Sequence, residues 1–294
     1  RVDVAHGASS LAFDMKRGLA YVLGVADLDG NGTLTVLRGG AQVARLGVPG
    51  RPIGLKFGPD GVSYLLTSSA VIALDGDGLA AVHTWKLSFG PSDLIFDPGH
   101  DLMFAGAGSG SKIAKLRIRE GDVLVEHPTG DPGRKFGMGV GATLYFIFAI
   151  AGAAGGAYVP TPFLPVQNST SMLLGADGAI LYVLNPYTSD VSIFDVAKQD
   201  VVDIVYTGGG SSRFVQLPGD PTFWVQSSGK LVHFDTAANN IDRTIEFQAG
   251  GSYKTVTYET ARERAWVTTQ SKVLIFDLRT GEAVGKADLP RFAS

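Results

Sequence analysis

The chain has 294 residues, with 25 Lys and Arg against 28 Asp and Glu, and no cysteine. A formal net charge of -3 excludes a global pull toward nucleic acid or acidic membrane. The absence of thiols excludes disulfides, thiolate nucleophiles and thiolate-bound metals.

Residues 1–5 read as the end of an outer strand, expected to lie beside the last repeat. From there apolar runs of strand length alternate with turn residues, and the 39 glycines fall between the runs, where turns need positive φ. The third run of each repeat ends on a charged residue: Arg38, Asp75, Arg117, Asp195, Asp235 and Asp277. These markers are spaced by 37, 42, 78, 40 and 42 residues, and 78 is two repeats of 39 with one marker missing. Seven repeats fit, over 7–48, 49–88, 89–129, 130–167, 168–207, 208–248 and 249–290. First strands repeat the phase at 11–14 (LAFD), 53–57 (IGLKF), 94–97 (LIFD), 215–217 (VQL) and 256–258 (VTY). The fifth repeat is complete, with runs at 172–174, 180–184, 191–196 and 201–206 separated by turn residues. Four β-rich runs per repeat make a four-stranded antiparallel sheet. The predicted fold is therefore all-β: a seven-bladed β-propeller of four-stranded antiparallel blades, one domain over 1–294, with sheet edges largely hidden.

Residues 50–61 (GRPIGLKFGPDG) and 176–185 (ADGAILYVLN) resemble the YVTN-type repeat of extracytoplasmic propellers. The resemblance is to a degenerate repeat, imperfect at Tyr182-Val-Leu-Asn185 and spanning about five of the seven units. It implies an exported protein, periplasmic or extracellular. The wider group of similar propellers includes lactonases and quinoprotein amine dehydrogenase subunits, but none of their site motifs maps here residue by residue.

Several stretches invite a chemical reading. Asp27, Asp29 and Asn31, with Gly32 at the sixth position, match the start of a calcium loop, although the twelfth position is Arg38 and not an acid. The same residues also suit a hairpin turn. Residues 106–112 (GAGSGSK) lack the Gly-Lys-Ser/Thr ending of a phosphate loop and lead into a strand. Gly137, Gly139 and Gly141 fail the dinucleotide fingerprint because no helix follows. His6, His83, His100, His127 and His233 show no short metal spacing and read as structural or solvated, and no Gly-x-Ser-x-Gly elbow occurs.

The entries to the innermost strands, expected to converge on one mouth of a central channel, carry Arg51, Asp93, Arg134, Arg213 and Lys254 with serines between them. Recurrent guanidinium groups make an anion site, because their donor fork matches carboxylate or phosphate. Solvated side chains paired with neighbouring Asp are the bland alternative.

The fourth repeat departs from the rest. Residues 136–176 carry no charge, and 142–157 (ATLYFIFAIAGAAGGA) are nearly all apolar or Gly. A membrane span needs about 20 apolar residues, and the repeat phase demands a blade here, so no transmembrane span is expected. Uncharged turns and outer edge then predict contact with another protein chain, or with a membrane surface, from Tyr158 to Val166. The functional expectation is a non-enzymatic binding or assembly module with that partner surface, a small anionic ligand at the channel mouth and calcium as the candidate cofactor. The alternative is an enzyme, or enzyme subunit, of lactonase or quinoprotein-dehydrogenase type.

Overall fold

The computed structural model describes residues 8–25, 31–59, 61–75, 80–108, 111–131, 171–247, 255–269 and 271–289. They form six antiparallel sheets, each of four strands in sequence order. Sheet one has β1 (Ala8–Asp14), β2 (Leu19–Val25), β3 (Gly32–Arg38) and β4 (Ala41–Val48). Sheet two has β5 (Pro52–Phe57), β6 (Ser63–Thr67), β7 (Ala70–Leu74) and β8 (Ala81–Lys86). Sheet three has β9 (Pro91–Asp97), β10 (Leu102–Ala107), β11 (Lys112–Arg117) and β12 (Val123–Pro128). Sheet four has β13 (Ser171–Leu174), β14 (Ile180–Asn185), β15 (Asp190–Asp195) and β16 (Asp200–Tyr206). Sheet five has β17 (Arg213–Val215), β18 (Phe223–Ser227), β19 (Lys230–Asp235) and β20 (Asn240–Glu246). Sheet six has β21 (Thr255–Glu259), β22 (Arg264–Thr268), β23 (Lys272–Asp277) and β24 (Ala283–Asp288). The expected fourth repeat and the expected closing strand at 1–5 lie outside the described residues. In sheet five the first strand is Arg213–Val215, two residues earlier than the apolar run at 215–217 predicts.

The aspartate markers at the third-strand ends of sheets four, five and six have a local cause. Asp195 Oδ1 accepts the backbone N–H of Ala197, Asp235 Oδ1 that of Ala237, and Asp277 Oδ1 those of Arg279 and Thr280. A short carboxylate that closes its own turn starts the fourth strand antiparallel to the third.

The chain divides into two compact units, one based on Arg1–Thr129 and the other on Gly175–Ala197 and Val201–Ser294. In the first unit, Leu19, Tyr21, Leu34, Leu65 and Ile72 join sheets one and two, while Tyr64, Trp85, Met103 and Leu116 join sheets two and three. In the second, Tyr182 meets Phe223 and Phe234 edge-on, and Trp224, Leu231, Val267 and Phe276 join sheets five and six. Middle strands are largely buried on both faces and fourth strands mostly exposed, as β7 and β4 show, except in sheet six, where β22 and β23 are in large part half-buried. That gradient explains continuous apolar runs in the middle of each repeat and alternation at its edge.

Aromatic donors staple neighbouring sheets. Trp85 Nε1 donates to the Arg117 carbonyl at 3.0 Å, and Trp224 Nε1 to the Leu278 carbonyl at 2.9 Å. Each acceptor lies at the end of the third strand of the following sheet. The fourth strands share another device: pairing skips one residue at Val43, Val82, Leu124, Asp242 and Val284. Such bulges twist an edge away from foreign strands.

Candidate functional site

The first strands of sheets five and six flank an open cleft of about 580 Å³. Val215 and Val256 form its floor, 7% and 8% exposed, and both belong to the apolar core of those sheets. Alternation along β21 puts Val256 and Tyr258 on one face, so the tyrosine ring rises from the same floor. The Arg213 guanidinium lies over that ring, 4.4 Å from its centroid. The Tyr258 hydroxyl in turn donates to Gln226 Oε1 at 2.8 Å, and Gln226 is the cross-strand partner of Arg213. Arg, Tyr and Gln thus hold one another in place. Among the described residues Arg213 has no ion-pair partner. Thr257 and Thr260 add to the lining, and Gln216 closes the other end with its Nε2 donating to the Asp220 carbonyl at 2.9 Å. A cation held against an aromatic face over an apolar floor binds anions with its free edge.

A second cluster was not legible in the sequence. His233, 5% exposed, faces Asp242 Oδ1 through Nδ1 and Thr222 Oγ1 through Nε2, the latter at 2.9 Å. Asp242 reaches the imidazole because it occupies the bulge of β20, where sheets one, two and six place valine. Asp–His–Thr order suggests an activated nucleophile, but proton accounting rules otherwise. A nucleophilic hydroxyl must give its proton to the imidazole. Here the Thr222 hydroxyl donates to Asp220 Oδ1 at 2.6 Å, and the Thr222 backbone N–H donates to the same oxygen at 2.9 Å. Burial opposes ionisation of Asp220, yet the Thr222 donors, His233 and Arg279 hold its carboxyl below the ordinary value. Burial likewise opposes ionisation of Asp242, and the His233 bond and charge with Arg243 outweigh it. Two ionised carboxylates bracketing a histidine and a hydroxyl make a clamp between the strands of sheet five.

Of the residues singled out for an anion cluster, Arg51, Asp93 and Arg213 fall among the described residues. Arg213 sits in the cleft. Arg51 is exposed in the first unit, its backbone N–H donating to Ser68 Oγ at 3.1 Å. Asp93 pairs with Lys56 at 2.7 Å, a partner from the first strand of the preceding sheet that spacing did not suggest. Arg134 and Lys254 lie outside the described residues. Of the calcium residues, Asn31 is exposed at the start of β3, and Asp27 and Asp29 lie outside the described residues. Among the described residues no three His, Asp or Glu side chains gather as metal ligands. Ser212, the serine expected at the mouth in sheet five, is exposed, while its neighbour Ser211 is buried with its Oγ 2.6 Å from Thr207 Oγ1 and 2.9 Å from Ser227 Oγ. His100 and His127 pair with Asp97 and Asp200 at 2.8 and 3.0 Å, and the His83 ring lies tilted against Trp85 with centroids 4.7 Å apart. Among the described residues no helix is long and apolar enough to cross a membrane.

Four-stranded antiparallel sheets repeated along a chain define the β-propeller class, and comparison with solved structures agrees. The chain is similar to the dihydro-heme d1 dehydrogenase NirN, with a TM-score of 0.65 and 13% identity over 96% of this chain and 57% of that one. It is also similar to the β-propeller domain of Cps50 (Swd1) from Myceliophteria thermophila, with a TM-score of 0.54 and 12% identity over 99% and 88%. A functionally unknown protein from Desulfotomaculum acetoxidans DSM 771 gives a TM-score of 0.55 and 12% identity over 97% and 86%. The chain therefore spans little more than half the length of the NirN chain. The likeness is one of fold. No family model matches the chain, and no curated protein matches it.

Proposed function

We propose that this chain is a seven-bladed, YVTN-type propeller, exported to the periplasm or beyond the cell, that works as a binding module and not as an enzyme. One observation carries the ligand-binding reading: an exposed guanidinium fixed on Tyr258, without an ion-pair partner among the described residues, over a cleft floored by Val215 and Val256. The preferred ligand is a small anion. The enzyme alternative finds its nearest chemistry at Thr222, His233 and Asp242, where the hydroxyl proton is already engaged by Asp220. Two further parts of the proposal concern residues that, Asn31 apart, lie outside the described residues: a protein partner seated from Tyr158 to Val166, and weak calcium binding at Asp27, Asp29 and Asn31. Heat on calorimetric titration with millimolar calcium supports the latter, and silence removes it.

Thermal-shift screening against carboxylates and phosphates tests the ligand reading, because a ligand that binds only the folded state raises the unfolding midpoint. The expected result is a shift with at least one anion that Arg213→Gln abolishes, while the ligand-free midpoint stays unchanged. A shift that survives Arg213→Gln places the ligand elsewhere and overturns the assignment.

A further inference from the structure

The cleft holds more information than the sign of its ligand. Resting on the anion-binding reading above, we propose that it takes a monocarboxylate with an apolar body, an aromatic ring or a short acyl chain, in preference to a phosphate or polycarboxylate.

Among the described lining residues, Arg213 is the one cation. A single guanidinium fork matches a single carboxylate, whereas a phosphate dianion or a citrate leaves charge uncompensated at the cost of its hydration. Neutral donors do not make up the difference, because they carry no charge to offset a second negative one, and part of the bonding capacity of the nearby amides is already engaged. Gln226 accepts from the Tyr258 hydroxyl at 2.8 Å, and Gln216 donates to the Asp220 carbonyl at 2.9 Å. The hydroxyls of Thr257 and Thr260 are neutral and suit one oxygen each.

Size and floor point the same way. A volume of about 580 Å³ is far more than a bare carboxylate fills and lies in the range of small-molecule sites. Next to the cation lie Val215 and Val256, which are continuous with the buried core of sheets five and six. Stacking on Tyr258 also fixes which way the fork opens, since one face of the guanidinium is covered. A ligand that bonds the free edge has the valine floor within reach for its remaining atoms. There, each methylene removed from water adds about fourfold in affinity.

Calorimetric titration of the full chain with acetate, butyrate, hexanoate, phenylacetate, phosphate and citrate tests this. The expected order is hexanoate and phenylacetate above butyrate and acetate, with a gain of up to about fourfold per methylene, the value for full burial, and phosphate and citrate weakest. Arg213→Gln should weaken hexanoate at least tenfold. Tyr258→Phe, which keeps the ring beneath the guanidinium, should retain most of the affinity. Arg213→Lys replaces the first variant if Arg213→Gln does not fold, and should show a smaller loss. Phosphate or citrate binding through Arg213, with no gain from chain length, overturns the monocarboxylate proposal and leaves the anion reading standing. No binding by any of the six overturns both.

Discussion

Gly121 shows how one backbone position can decide a packing contact. It has φ +75, and an added Cβ would stand 1.1 Å from His83 Nε2, against which the turn after β11 is packed. Gly121→Ala should cost about 1–2 kcal/mol from the left-handed backbone alone, with a further loss from displacing the imidazole off Trp85. In a urea-denaturation cycle, the double variant with His83→Ala should lose less than the two single changes summed. Strict additivity would show that the two do not share this space. Asp277 makes a second residue-scale case. Backbone donation from Thr280 is the main cause holding its carboxyl below the ordinary value of 3.8; burial opposes it, and donation from Arg279 adds to it. A carboxyl depressed in the folded state contributes stability that is present above the unfolded value of 3.8 and is lost as pH falls through the folded one. Asp277→Asn should therefore lower the unfolding midpoint near neutral pH and converge with wild type in strong acid. Equal losses at both ends would assign the effect to shape and not to charge.

At the scale of elements, the sheets are held side by side by a few directional bonds laid over broad apolar contact. Trp224, 1% exposed, reaches from sheet five to the Leu278 carbonyl in sheet six. Trp224→Phe keeps much of the contact but strands a carbonyl, a loss of about 1–3 kcal/mol. Chemical denaturation should show that loss with an unchanged denaturant slope, since the same surface is exposed on unfolding. A changed slope would mean that the two sheets no longer unfold together. The bulges in the fourth strands serve the opposite purpose, keeping edges from pairing with other chains. Where β20 carries Asp242 in place of the valine of its counterparts, the same irregularity brings a carboxylate onto His233. One device does two jobs, and only the side chain at the bulge differs.

At the scale of the whole molecule, the uncharged stretch 136–176 stands out because every other repeat carries charges on its turns. Burying one exposed aromatic is worth about 1.5–3 kcal/mol, so Tyr158 and Phe163 together would favour association. On the proposed partner surface, the native chain should associate, and replacing Phe163 and Leu164 with Asp should yield a folded monomer. Light scattering that finds the native chain already monomeric, with pull-down finding it partnerless, removes the partner surface from the proposal.

The sequence by itself determined the repeat, the four strands within it and the turn carboxylates, because these are local. Strand periodicity is two residues, and an Asp side chain closes a turn only two or three residues long, so both are written in adjacent positions. Packing set what each of the marked charges touches. Arg213 resembled Arg51 in phase, yet among the described residues Arg213 is the one of the two that lies over an aromatic face, and that face is Tyr258 in the next sheet, 45 residues on. Asp93 resembled a lone acid among cations and is neutralised by Lys56 of the neighbouring first strand. His233 read as an isolated histidine and proved to be bracketed by Asp242 and Thr222, because a bulge turns one residue inward. Charges are screened or engaged by whatever the packing of sheets brings within a few ångströms, and separation along the chain carries no record of that distance.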